Sequence, residues 1–536
     1  MKPRQRHISA SLPALAAGTL ALLLSAVMIN HGLTDSILPA GAGLTVDESF
    51  NIDQGIYLSR ALEQHGPLIL SPQTGIAVFR NYLPDHPPLV RLEIGMAHDF
   101  LGWLIPGSEN VAYNVPAARL GACLAFAMMT ALLCRFTIRH YGLTTGIFTA
   151  LLVIGSPRLI GHARLAALES GTNLAWVMAL LPLLAWWTAD APPTRWRAVV
   201  SGCCWGLLLL SKIQAVLLAP AVLIWGLSRF RIKSIMPLTL WGLSGIVVLF
   251  ACWPWLWDDP LANFLQYLGR TTDRQTLYCW YLGERFADKD IPWHFPTVML
   301  ASSLSAWTVA GLLLRFRCGR PDRCEQLLLL TSGIPVLVFS LPGVPVYDGI
   351  RLFLVALPGL CVVAARGYAG LFLCRSKSSG SASQRGPVLV TQLLLLLLPL
   401  PWTLQPFAIN QYGPLCGGNR GAAKLGFEAG FWADALNGDF WIRIPENTTL
   451  YVAPVSHEFQ LPALQQLVPI LQQRNIDLQP WHYDSATEPG PLLLIHRLAD
   501  LRPELQRISP EETQLARAES SGMVLARAIE QLRSED

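Results

Sequence analysis

Eleven apolar segments recur along this chain, and no other feature constrains its fold as tightly. They run over approximately 9–30, 111–134, 142–157, 171–188, 197–210, 213–228, 236–253, 296–314, 326–342, 352–373 and 387–404. Segments this apolar bury their whole circumference in lipid, where the backbone must satisfy its own hydrogen bonds as helix. Composition agrees: 14% of residues are charged and 52% hydrophobic, where a soluble protein has about a quarter charged. Several segments are short for a hydrocarbon layer of roughly 30 Å, and the pair on either side of Lys212 is easily misread.

Basic residues orient the segments. Lys2, Arg4 and Arg6 precede the first one; Arg135 with Arg139, Arg195 with Arg197, and Arg229, Arg231 and Lys233 fall in alternate connections. Arg315, Arg317, Arg320 and Arg323, then Arg375, Lys377 and Arg385, complete the series. All lie on one side if the N-terminus is cytoplasmic, as the positive-inside bias demands. The expected architecture is therefore a multi-pass cell (inner) membrane protein of about eleven transmembrane helices spanning residues 1–404. Loops 31–110 and 254–295 face outward, the first of them carrying amphipathic helices, and residues 405–536 form a small extracytoplasmic α/β domain. The first segment reads as an anchor, although Ala40-Gly41-Ala42 also has the small-x-small form of a signal cleavage site. A formal charge of +4 without a basic aromatic stripe argues against nucleic acid. Cys279 and Cys416 are the two cysteines placed outside the segments on the outer side, and they are candidates for a disulfide.

Ionisable residues crowd that outer side. Thr45-Val46-Asp47-Glu48 has the form of a capping box that opens a helix through roughly Gln64. Glu48 serves either as the cap or in chemistry, whereas Asp47 is not needed by the cap. A carboxylate held ionised by a helix N-terminus suits a general base. Phe50, Ile56 and Leu62, with Tyr57 and Ala61, give the same helix an apolar side fit to lie along the membrane surface. Asp85-His86-Pro87-Pro88-Leu89 is a rigid extended turn; it either enters an interfacial helix or presents Asp85 and His86 to a sugar or phosphate. Arg158, His162, Arg164 and Glu169 cluster between the third and fourth segments, where an Arg164–Glu169 pair is the plain structural reading. Arg119, Lys212 and Arg351 place three cations near one membrane surface, suited to an anionic lipid head group, with snorkelling as the alternative for Lys212.

In this order and sidedness the residues resemble glycosyltransferase family 39, of the C-type membrane superfamily that includes protein O-mannosyltransferases and aminoarabinose transferases. The resemblance rests on the outer acidic pair, His86-Pro87-Pro88-Leu89, Arg119, the Arg-rich turn before Glu169, and Leu209-Leu210-Ser211-Lys212. The run from Gln411 to Ala422 adds to it, and the resemblance covers most of residues 30–440. It implies Asp47 as catalytic base with Glu48 beside it. Arg119, Lys212 and Arg351 become donor-phosphate contacts, and His86 and Glu169 line the cavity; Asp85, His162 and Arg164 are further candidates for cavity or substrate-binding residues. Two departures matter. Glu169 stands where Asp is common, and Asp85 precedes His86 where the aminoarabinose enzymes tend to have Lys, which argues against assuming a lipid A acceptor. Some relatives hold a divalent metal, but no convincing ligand set is seen here.

The expected function is a cell-envelope glycosyltransferase that moves a sugar from a polyprenyl-phosphate donor to a hydroxyl of a protein, lipid or polysaccharide, with inversion. The alternative is a transporter or flippase of polyprenyl-linked sugars. That reading predicts inverted repeats or matched interrupted helices and mid-membrane charges.

Overall fold

In the computed structural model the described residues are 10–29, 41–105, 113–269, 275–378, 406–430, 432–455, 460–482, 490–506 and 514–530. The expected span 387–404 lies outside them. Helix α1 (Ser11–Ala26) lies along α5 (Val115–Tyr141), where Gly18 faces Ala127 and Ala131 and lets the backbones close in. Between them the first loop builds α2 (Val46–His65), α3 (Pro72–Arg80) and α4 (Pro88–Leu101). Helices α2 and α4 cross so tightly that a Cβ on Gly95 would stand 1.9 Å from the Gly55 carbonyl oxygen. Ile52, Ile56 and Ala61 of α2 are buried in protein. The apolar side expected to lie on the membrane surface is thus largely covered by protein, with the Tyr57 hydroxyl donating to the Val78 carbonyl of α3 at 2.8 Å, and of its residues Phe50 remains exposed.

The chain turns at Gly142 (φ +96°) into α6 (Leu143–Ile154), then passes α7 (Pro157–His162), α8 (Leu168–Trp186) and α9 (Arg195–Leu209). Helices α10 (Leu218–Phe230) and α11 (Ile235–Ala251) follow. Gly226 packs on Leu238, a pair that one straight helix would hold about 18 Å apart. These two helices are therefore a hairpin, broken at Arg231 (φ +52°). Gly202 meets Trp241 and Gly206 meets Gly245, so α9 and α11 run parallel. Next come α12 (Trp255–Asp258), α13 (Pro260–Gly269) and an antiparallel hairpin of β1 (Tyr278–Tyr281) and β2 (Glu284–Ala287). Helices α14 (Phe295–Ser303), α15 (Ala306–Phe316), α16 (Arg323–Phe339) and α17 (Ala356–Ser378) complete the helical part.

Among the described residues Val115–Tyr141 and Leu168–Trp186 are each long and apolar enough to cross a membrane, as is the run Ile213–Ala251, which folds back on itself as the α10–α11 hairpin. A fourth counts if α14 and α15, bent by 106°, form one span. Eleven full-length spans are therefore not found, and the reasons are local. Helices α6 and α9 have 12 and 15 residues, about 18 and 22 Å of rise. The segment expected at 213–228 opens with a 3₁₀ turn, Ile213–Leu217, and that at 296–314 breaks before Ser305. Hydropathy averages over such breaks. The bundle nonetheless has two polar ends. At one end Arg315 grips Glu325 at 2.5 and 2.7 Å and Tyr141 donates to Asp322 at 2.9 Å. The other lies near Arg119, about 33 Å away along α5.

The tail builds the expected sheet domain from β3 (Thr448–Ala453), β4 (Ile476–Pro480), β5 (Leu492–Ile495), β6 (Gln514–Ser520) and β7 (Met523–Ile529). Their order is β4-β3-β5-β7-β6; β3 is parallel to β4 and β5, and β7 is antiparallel to β5 and β6. The proposed disulfide does not form. Cys279 and Cys416 are both free thiols in separate surroundings, Cys279 donating to the Val346 carbonyl (3.2 Å) and Cys416 to that of Gly413 (3.3 Å).

Candidate functional site

Helix α2 begins at the polar end, and its first two acidic residues part company there. Glu48 accepts the Thr45 N–H at 2.8 Å, its half of the capping box. It is also fully buried, takes Arg119 on both oxygens (2.7 Å each) and accepts the Ala166 N–H at 2.7 Å. Arg119 donates as well to the carbonyls of Ala42 (2.8 Å) and Gly43 (2.7 Å), so all three guanidinium nitrogens are engaged. The pair ties the entry to α2, the start of α5 and the loop after α7 into one unit. Arg119 is brought to Glu48 and not to the other two cations.

Asp47 projects about 100° away around the helix and pairs with Arg351. Arg351 opens a 3₁₀ turn (Arg351–Phe353) just after the left-handed Asp348 (φ +54°), to which it donates at 2.9 Å. Its Nε reaches Glu169 Oε1 at 2.8 Å, and its guanidinium lies 4.4 Å from the centre of the Trp432 ring. Glu169 sits in the first turn of α8, where the helix N-terminus favours a carboxylate. The same Oε1 accepts from Lys212 Nζ at 2.6 Å. Lys212 occupies fully extended backbone (φ −162°, ψ 154°) between α9 and the 3₁₀ turn, so its ammonium enters the site from a true break in the helix. His162 Nδ1 lies 4.0 Å from Glu169 Oε2, and its ring meets Trp432 edge-on at 5.4 Å. Asp47, Glu169, Lys212, Arg351 and His162 thus converge, and of the four ion-paired side chains only Asp47, at 32%, is appreciably exposed.

The Asp85–Leu89 turn borders this cluster. Asp85 is clamped by Arg91 at 2.6 and 2.9 Å, and buried Arg91 also holds Asn51 (3.2 Å) and the Leu83 carbonyl (3.1 Å). The Leu89 N–H donates to the Leu210 carbonyl at 3.0 Å, which docks the turn beside Lys212. His86 is fixed by Tyr82, whose hydroxyl donates to its carbonyl at 2.8 Å. Its Nδ1 has no hydrogen-bond partner among the described residues. Arg164 reaches the Leu24 carbonyl at 3.3 Å, and the expected Arg164–Glu169 pair does not form because Lys212 and Arg351 take that carboxylate. Arg158 lies 4.9 Å over the Tyr412 ring and donates to the Ile409 carbonyl, binding the segment after residue 405 beneath α7.

Four participants were not nominated from the sequence. Asp348 precedes Arg351 at an i,i+3 spacing that an ion pair uses, and this was a readable signal. Arg91, Trp432 and Arg497 gave none; Arg497 comes from the sheet domain and stands 3.7 Å from Asp348.

Burial lowers the His86 imidazole to about 3, against the pull of Asp85, with Lys212 and Arg351 adding to the fall. Burial likewise takes His162 down to about 4, although Glu169 opposes it. Unfolded histidine titrates near 6.5. Between about pH 6.5 and 4 the unfolded chain therefore binds more protons at these two sites, and their contribution to stability rises with pH. Burial raises the carboxyls of Glu428 to about 8 and Asp434 to about 6, which act in the opposite sense, so the histidines are read by difference. In the solubilised protein His86→Gln and His162→Gln should each shift the slope of melting temperature against pH between 5 and 7 to a less positive value than in the wild type. Thermal scans giving the wild-type slope in both variants would refute this.

Among the described residues no group of three or more His, Cys, Asp or Glu comes together to hold a metal ion. No family model and no curated protein matches the sequence. Solved structures do resemble the fold. ArnT from Cupriavidus metallidurans in the apo state has a TM-score of 0.50 at 12% identity, covering 96% of this chain and 97% of its own. The same protein bound to undecaprenyl phosphate gives 0.49 at 13%, covering 97% and 98%. An oligosaccharyltransferase from Archaeoglobus fulgidus, tethered to an acceptor peptide, gives 0.42 at 14%, with 88% of this chain and 60% of that one covered. The chain shares the ArnT fold along nearly its whole length.

Proposed function

We propose that this protein is a C-type membrane glycosyltransferase that moves a sugar from a polyprenyl-phosphate donor to an acceptor hydroxyl at the extracytoplasmic face. The convergence of Asp47 with Arg351, Glu169 and Lys212 at one end of the helical bundle carries the reading. An apolar groove of about 540 Å³ runs between α4, α5 and α8, bordered by Leu92, Met96, Leu124, Met128, Leu174 and Met178. It reaches Leu89 and Gly171, next to the backbone that carries Lys212 and Glu169. A polyprenyl chain lying there puts its phosphate beside Lys212 and Arg351. The ArnT-like fold and the polar ends of the bundle support a multi-pass protein in the cell membrane, its site and C-terminal domain on the outer side.

In the site as it stands, Asp47, Glu169 and Asp348 neutralise Lys212 and Arg351. A donor phosphate competes for those cations through charge-assisted hydrogen bonds. As Arg351 turns from Asp47 to the phosphate, Asp47 loses its counter-ion and becomes a better proton acceptor. Asp47 then takes the acceptor hydroxyl proton, the acceptor oxygen bonds the anomeric carbon, and the bond from that carbon to the phosphate oxygen breaks. The leaving group departs as polyprenyl phosphate held by Lys212 and Arg351, so no general acid is needed. One displacement inverts the anomeric centre. Glu48 and Arg119 hold the start of α2, which carries Asp47.

Lys212→Met should weaken polyprenyl-phosphate binding roughly 10- to 100-fold, the loss of one charge-assisted hydrogen bond. Donor saturation curves with a defined polyprenyl-phosphate sugar in nanodiscs test it. An unchanged half-saturation point would overturn the phosphate site.

A further inference from the structure

A second opening lies against the sheet domain. Between the β1–β2 hairpin and the ends of β3 to β5 there is a cleft of about 400 Å³, with Arg285, Arg497, Arg502 and His482 on its walls beside the rings of Tyr278 and Trp481. The Arg285 guanidinium lies 3.3 Å from the centre of the Tyr278 ring, and its Nε donates to the Ala499 carbonyl at 2.5 Å, so hairpin and sheet domain close the cleft together. Among the described residues that line the cleft, the carboxylate is that of Asp500, held by Arg497 at 2.6 Å. A much smaller cavity, about 20 Å³, is bordered by Tyr278 and Arg497 of this cleft and by Asp348 of the cluster around Asp47. Arg497 spans the two: it stands 3.7 Å from Asp348, which accepts from Arg351 at 2.9 Å.

Resting on the glycosyltransferase reading, we propose that this cleft binds the acceptor, and that the acceptor is a saccharide bearing an anionic group. Aromatic faces take the apolar side of a sugar ring, while arginines present forked donors to a carboxylate or phosphate. The cleft meets the ion cluster at Asp348, through Arg497, whereas the apolar groove meets it beside Lys212 and Glu169, so donor and acceptor reach the cluster through different residues. Arg497 also makes the sheet domain part of the reaction. An anion that draws Arg497 from Asp348 leaves Asp348 to pull harder on Arg351, and cleft occupancy is thereby communicated to the site.

The test uses the full-length protein in nanodiscs and three probes: glucuronic acid, glucose 6-phosphate and glucose. At least one acid should bind 10-fold or more tighter than glucose, and whichever binds tighter identifies carboxylate or phosphate as the preferred group. Arg502→Gln and Arg285→Gln should each remove that advantage, while polyprenyl-phosphate binding stays at the wild-type level. Acids that bind no better than glucose, or an advantage that survives both substitutions, would overturn the proposal. Donor binding is read in the same samples, and its loss in the unmodified protein is the separate result that would defeat the glycosyltransferase reading.

Discussion

Asp47→Asn is expected to lower sugar transfer by about 10²–10⁴-fold, the usual worth of a positioned general base. The substitution keeps the shape of the side chain and an oxygen that Arg351 can still donate to, so the fold should be unaffected. What it removes is the capacity to accept a proton. It also removes the charge that competes with phosphate for Arg351, so donor binding should not weaken. That combination, turnover lost with donor binding kept, separates a base from a residue that holds the site together. Product formation by mass spectrometry, from membranes given a defined polyprenyl-phosphate sugar, reads the first quantity, and donor saturation reads the second. Wild-type turnover in the variant would remove Asp47 from the reaction.

Arg119→Met should be the most damaging substitution to the fold. It leaves Glu48 buried at 0% exposure with only the two backbone N–H partners of Thr45 and Ala166. Removing one partner of a buried ion pair costs about 3–5 kcal/mol, enough to take a large part of the stability of an ordinary protein. The Ala42 and Gly43 carbonyls lose their donors at the same time. The variant is expected to express poorly or melt far below the wild type in detergent. Adding Glu48→Gln to Arg119→Met should recover part of the loss, because the two residues are coupled. If Arg119→Met instead melts like the wild type and only donor binding suffers, Arg119 acts on the phosphate, as the family resemblance implies, and its anchoring role here is wrong.

The acidic pair shows how far sequence reasoning reaches. The Thr45–Glu48 box, the helix that follows and the separate directions of Asp47 and Glu48 are all local, set by the geometry of one helix turn. The partners of those two carboxylates are not local. Asp47 and Arg351 are 304 positions apart, and Glu48 and Arg119 are 71 apart. Three cations were legible as cations near one surface, but the pattern of charges alone does not say that one anchors a loop while two meet a shared carboxylate. Lys212 was readable as an interruption; that it is extended backbone and not a snorkelling side chain on a continuous helix depends on the close docking of the Asp85–Leu89 turn.

By itself the sequence determined that the chain is built of apolar helices with charge kept to their ends, and that its last 130 or so residues change to a mixture of strands and helices. Those properties follow from residue type and short-range period, which each segment carries on its own. Tertiary structure alone decided which helices break, that α2 is buried on α4, that two cysteines stay apart, and that Arg497 of the sheet domain reaches the ion cluster. These outcomes are contacts between segments distant in the chain, and their energy depends on which atoms face each other once the whole is packed.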